Sequence, residues 1–90
     1  MDKILENKMN EKINEVFSNS SEISSIVNLL DKLSSNRDSF AYGIFIGRLY
    51  NSFYYQCRRI LKRNPTEEEF SEFIEMLKSR EKEFLKLVFP

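Results

Sequence analysis

The sequence predicts an all-α fold: a small antiparallel bundle of about four helices, with one long central helix over residues 37–63. Only two glycines and two prolines interrupt the 90 residues, so little in the chain breaks a helix. Apolar residues recur three and four positions apart, which is the spacing of amphipathic helices. Short polar segments separate these runs, and short connections favour antiparallel neighbours. The length fits one domain, residues 1–90.

The first two helices are predicted over residues 2–18 and 21–35. The polar segment SNSSE separates them, and Asn19 or Ser20 in that segment can cap the second helix. Their apolar positions are Ile4, Leu5, Met9, Ile13, Val16 and Phe17 in the first helix, and Ile23, Ile26, Val27, Leu30 and Leu33 in the second. We expect each helix to turn this apolar stripe toward a shared core.

The long helix follows the polar segment SSNRDS, in which Ser35 and Asp38 have the spacing of caps. Residues 40–63 hold seven of the twelve aromatic residues and both glycines. Rotation by about 100° per residue sorts them into a wide apolar stripe and an opposite face. The stripe contains Tyr42, Gly43, Ile46, Gly47, Leu49, Tyr50, Phe53, Tyr54, Cys57, Ile60 and Leu61. We expect the stripe to face the core, with Cys57 as a buried structural thiol.

The last helix begins after the clearest break in the chain. Asn64 ends the long helix because the residue before a proline disfavours helical backbone. Thr66 and Glu69 then have the T-x-x-E spacing of a capping box. The apolar face of this helix comprises Phe70, Phe73, Ile74, Leu77, Phe84, Leu85 and Val88. Glu81 falls within that face, level with Tyr50, and the sequence allows either a hydrogen bond between them or exposure of Glu81 to solvent.

The composition argues against an enzyme. The chain has no histidine, the commonest general base and metal ligand, and its single cysteine can form neither a disulfide within the chain nor a cysteine metal cage. The segment GIFIG lies mid-helix without a preceding strand, so it does not fit a phosphate-binding loop. We therefore predict no catalytic, cofactor-binding or metal-binding residues.

The sequence also favours a cytoplasmic protein that binds no membrane. The charged N-terminal segment lacks the apolar region of a secretory signal, and one free cysteine fits a reducing compartment. Arg48 would lie near the bilayer midplane of any spanning helix, where a charge is costly.

The long helix predicts a protein-interaction module, because it has more apolar surface than one core needs. Its N-terminal half is apolar nearly all round, and a second copy of the chain is the physical remedy. Gly43 and Gly47 lie four residues apart, a spacing that lets two backbones approach closely, either within one chain or between copies. We predict a homodimer, with contact to a different protein as a further possibility. The candidate contact residues are Phe40, Gly43, Ile44, Phe45, Gly47 and Tyr55.

The basic end of the same helix offers an alternative, a nucleic-acid-binding or transcription-regulatory protein. Its candidate residues are Arg48, Arg58, Arg59, Lys62 and Arg63. Antiparallel packing of the last helix would place acidic residues beside them, namely Glu67, Glu68, Glu69, Glu72 and Glu75. Nucleic-acid binding rests on uncompensated cations. We therefore expect these carboxylates to neutralise the cluster, and we do not expect nucleic acid as a partner.

Overall fold

The computed structural model describes residues 1–87, and this part of the chain is helical without strands. The helices are α1 (Lys3–Ser18), α2 (Ser20–Leu29), α3 (Arg37–Leu61), α4 (Glu67–Lys78) and α5 (Glu81–Leu85), with one turn of 3-10 helix (Asp31–Leu33) between α2 and α3. α3 is the longest, with 25 residues, and α1 and α2 pack against it. The predicted all-α bundle with a long central helix is confirmed.

The caps of α2 and α3 differ from those predicted. Asn36 caps α3, because its side-chain oxygen accepts a 2.9 Å hydrogen bond from the Ser39 N–H. Ser35 and Asp38, which the spacing had indicated, do not fill this role. Asn19 precedes α2, but its side-chain amide donates backward to a carbonyl of α1. The link between α1 and α2 is therefore a single residue without a side-chain cap.

The apolar face predicted for the second helix is only partly buried. α2 ends at Leu29, six residues before the predicted boundary, and a short 3-10 turn follows. Ile23 and Val27 enter the core, whereas Leu30 and Leu33 are exposed. The helical spacing no longer applies to these two leucines, because the chain has left the α-helix before reaching them.

The last helix of the prediction is two helices in the structure. The chain bends at residues 79–80, where the Arg80 guanidinium donates a 2.6 Å hydrogen bond to Asn14 and lies over the Phe17 ring at 5.2 Å. These contacts hold the bend against α1. Val88, expected on the apolar face, lies outside the described residues.

One apolar core joins the helices. Its buried members are Leu5, Met9, Ile13, Val16, Ile23, Val27, Ala41, Phe45, Leu49, Phe53, Cys57, Phe73, Leu77 and Phe84. Phe53 of α3 stacks on Phe73 of α4 with ring centroids 4.5 Å apart and rings almost parallel. Phe84 of α5 meets the edge of Phe17 at 4.8 Å. Cys57 is fully buried, as predicted, and burial raises the pKa of its thiol.

The backbone is strained at the C-terminal end of α3. α3 ends at Leu61, two residues before the predicted boundary, and Lys62 takes a left-handed conformation with φ 62° and ψ 28°. The Lys62 N–H closes the helix by donating to the Arg58 carbonyl at 3.1 Å. A residue with a Cβ pays a steric cost in this conformation, which glycine avoids.

We expect Lys62→Gly to raise the free energy of unfolding by about 1 kcal/mol, because glycine relieves that strain at a helix C-terminus. Urea denaturation should show a higher midpoint at an unchanged slope. Lys62→Ala is the matched control, because it removes the same side chain and keeps the Cβ. A glycine variant no more stable than the alanine variant would contradict this explanation.

Candidate functional site

The residues predicted for self-association fall on different sides of α3. Phe45 is fully buried, with its ring 6.1 Å from that of Phe84, so its assignment to the outward face is wrong. Phe40 and Ile44 are partly buried against the core, whereas Tyr55 is 56% exposed. The core face of α3 follows Ala41, Phe45, Leu49 and Phe53 in steps of four residues. The apolar stripe and the opposite face of this helix both carry apolar residues, so the periodicity of the sequence could not show which of the two is buried.

A different face of α3 is largely open to solvent, so the prediction that its residues face the core is wrong for most of them. We call it the outer stripe, defined by Gly43, Ile46, Gly47, Tyr50 and Tyr54; the first four are exposed, and Tyr54 is half-buried against the core. A Cβ atom built on either glycine would meet no other atom within 4 Å. Ile46 and Tyr50 are 37% and 45% exposed. No other helix of residues 1–87 crosses α3 at the glycines, so close packing within the chain does not explain their spacing.

The tyrosines of the outer stripe are held in place by their neighbours. Tyr50 and Tyr54 stack with ring centroids 5.2 Å apart and planes within 6° of each other. Phe70 of α4 meets Tyr50 edge-on at 6.1 Å, and the Arg58 guanidinium lies 5.9 Å from the Tyr54 ring centre. A hydrogen bond with Tyr54 raises the pKa of Tyr50. These contacts position both tyrosine rings on the surface of α3, which lowers the conformational entropy that they would lose on contact with a partner.

An apolar groove of about 270 Å³ adjoins the outer stripe. It lies between α3, α4 and α5 and is lined by Tyr42, Ile46, Ile74, Leu77, Lys78, Glu81, Phe84 and Leu85. Glu81 is exposed at the rim of this groove, so of the two possibilities left open by the sequence, solvent exposure is the one observed. Tyr50 instead contacts Tyr54 and Phe70.

Within residues 1–87, a carboxylate neutralises the basic end at one position, Arg63. Arg63 donates two hydrogen bonds to the Glu69 carboxylate, at 2.6 and 3.1 Å. Glu69 also completes the predicted capping box with Thr66. The Arg63 guanidinium, followed by the Thr66 N–H, lowers the pKa of the nearly buried Glu69 to about 2. The sequence prediction is therefore correct for this pair.

The other cations of the basic end have no acidic partner among the described residues. Arg59 donates to the Gln56 side chain at 3.0 Å, and Arg58 approaches the Asn64 side chain at 3.4 Å. Across residues 1–87, no carboxylate forms an ion pair with Arg48, Arg58, Arg59 or Lys62. Glu72, expected beside them, pairs with the α-amino group of Met1. The reason is geometric: α4 packs on the side of α3 that carries Phe53, not on the side that carries these cations.

Other kinds of site were sought in the same part of the chain. Among residues 1–87, no group of three or more acidic or cysteine side chains could hold a metal ion. Each helix of this region is too short or too polar to span a lipid bilayer. The sequence matches no protein-family model, and no curated protein or solved structure is significantly similar to it.

Proposed function

We propose that this chain is a non-enzymatic helical interaction module that self-associates through the outer stripe of α3. The observation that carries the proposal is the pair of exposed glycines, Gly43 and Gly47, in the middle of a 25-residue helix. Each costs about 1 kcal/mol of helix stability relative to alanine. No contact within the described chain makes use of the missing side chains. Close approach of another backbone would use them.

The order of residues along the outer stripe favours a second copy of this chain as the partner. Two small residues, Gly43 and Gly47, are followed by two large ones, Tyr50 and Tyr54. If two α3 helices cross antiparallel about the midpoint of these four residues, each tyrosine lies opposite a glycine of the partner copy. Such a contact is the same from both sides, as a two-fold dimer requires. A parallel crossing would set tyrosine against tyrosine and glycine against glycine.

We include a cytoplasmic location in this proposal. The supporting observation is that the single cysteine, Cys57, is a free and buried thiol, which suits a reducing compartment.

Gly47→Leu tests the proposed dimer. We expect wild-type protein to sediment as a dimer at both about 0.15 M and about 1 M salt, because an apolar contact is not screened. The variant should sediment as a monomer, since the leucine occupies the space of the partner's tyrosine. Its own fold should be preserved, because the site is open and leucine is a better helix former than glycine. Phe45→Glu cannot serve here, because Phe45 belongs to the core.

The matched control is Asn7→Leu, which adds the same side chain to an exposed position of α1. It should leave the dimer intact. A monomeric wild-type protein, or a Gly47→Leu variant that remains a dimer, would contradict the proposal.

A further inference from the structure

A second face of α3 carries a charge pattern that self-association does not explain. We call it the basic face; its members are all exposed, namely Arg48, Asn51, Tyr55, Arg58, Arg59 and Lys62. It lies about 100° around the helix from the outer stripe, by the helical rotation per residue. Arg58 stands at the boundary between the two faces, beside Tyr54. An α3–α3 dimer would therefore leave most of the basic face open.

No carboxylate of residues 1–87 forms an ion pair with the cations of this face. The carboxylates of α1 lie close to lysines of the same helix, with Glu11 3.2 Å from Lys8 and Glu15 3.2 Å from Lys12. In α4, Glu69 is occupied by Arg63. None of these carboxylates forms an ion pair with a cation of the basic face. From Arg48 to Arg59 the cations within α3 extend over about 17 Å, at the rise of 1.5 Å per helical residue, and Lys62 follows at the end of the helix.

From this arrangement we infer that the basic face binds single-stranded nucleic acid. Arg59 and Lys62 are placed to contact neighbouring phosphates at the C-terminal end of α3. Arg48, about 17 Å from Arg59 along the helix, is placed to contact a phosphate farther along the strand. Tyr55, which is 56% exposed, lies among them and offers a ring face on which an unpaired base can stack. Asn51 adds an amide that can donate to and accept from the edge of a base. Duplex DNA keeps its bases stacked on one another, so it could not use the tyrosine in this way.

The test measures fluorescence anisotropy of labelled single strands of about 15 nucleotides, one of DNA and one of RNA, at increasing salt. We expect binding at low salt whose logarithm falls with that of the salt concentration, with a slope between about −2 and −3 for three or four phosphate contacts. Arg48→Glu combined with Arg59→Glu should abolish measurable binding. Tyr55→Ala should weaken it at least about fivefold, the loss expected for one stacked base.

The control is Lys78→Glu combined with Lys82→Glu, which changes the net charge by the same amount on exposed positions of α4 and α5. It should bind almost as tightly as wild type. An equal loss in both double variants would show that only net charge matters and would overturn the inference. So would the absence of binding at low salt, an unchanged affinity of Tyr55→Ala, or equal or tighter binding of a duplex of the same length. The DNA and RNA strands show which sugar the site accepts.

Discussion

Phe53→Ala is expected to lower the free energy of unfolding by about 4 kcal/mol, the largest effect of any change considered for this protein. The Phe53 side chain is fully buried, and its ring stacks face to face on Phe73 at 4.5 Å. Removing it takes apolar surface from the core, leaves a cavity and removes the Phe53–Phe73 stacking contact between α3 and α4. Chains of this length are stable by about 5–13 kcal/mol, so this loss would remove between about a third and four fifths of the stability.

Urea denaturation followed by far-ultraviolet circular dichroism measures this loss. The protein concentration is held constant, because self-association would add to the apparent stability. Tyr55→Ala is the matched control: it removes an aromatic ring from the same helix, two residues away, where the side chain is mostly exposed. Its effect should stay within about 1 kcal/mol. A loss below about 2 kcal/mol for Phe53→Ala would mean that the ring is not packed as described.

Glu69→Gln is expected to lower the free energy of unfolding by about 2 kcal/mol at neutral pH. The Glu69 carboxylate accepts two hydrogen bonds from Arg63 and one of 2.9 Å from the Thr66 N–H at the start of α4. Glutamine keeps the shape but loses the charge that strengthens these bonds, and charged hydrogen bonds are worth about 1.5–3 kcal/mol. Glu68→Gln is the control, because this neighbour in the first turn of α4 is exposed.

The same carboxylate predicts how stability depends on pH. The pKa of Glu69 is lowered from 4.5 to about 2 in the folded protein, so the unfolded chain takes up its proton first as the pH falls. The stability that Glu69 contributes is therefore complete above about pH 4.5 and is lost as the pH falls toward 2. Wild type and Glu69→Gln should differ at pH 7 and converge near pH 2. A stability difference that is the same at both values would contradict this assignment.

The local features of the fold could be predicted because their signals lie within one or two turns of chain. The capping box of Thr66 and Glu69 is present as its spacing indicated. Cys57 is buried, as the apolar residues around it suggested. Two local predictions were wrong because a neighbouring residue took the predicted role. Asn36 caps α3 in place of Ser35 or Asp38, and the left-handed conformation of Lys62 ends α3 before Pro65 is reached.

The candidate surfaces could be predicted only in part. The two glycines of the outer stripe and the cations of the basic face could be singled out from the sequence. The sequence did not show which of these residues are exposed. Tyr55 had been grouped with Phe45, although one is exposed and the other is in the core. The groove between α3, α4 and α5 could not be predicted from the sequence, because it depends on the bend at Arg80. That bend is held by a hydrogen bond to Asn14, which lies far from Arg80 in the sequence.

By itself, then, the sequence determined that this chain is helical, where its polar breaks fall, and that histidine-based chemistry is excluded. The tertiary structure alone decided which face of α3 is buried and that Gly43 and Gly47 are uncovered. It also decided that, among residues 1–87, Arg63 is the one cation of the basic end that pairs with a carboxylate. The physical reason lies in the range of the interactions. Caps and breaks depend on neighbours within a turn, whereas the choice between two apolar arcs depends on how α1, α2 and α4 pack around α3.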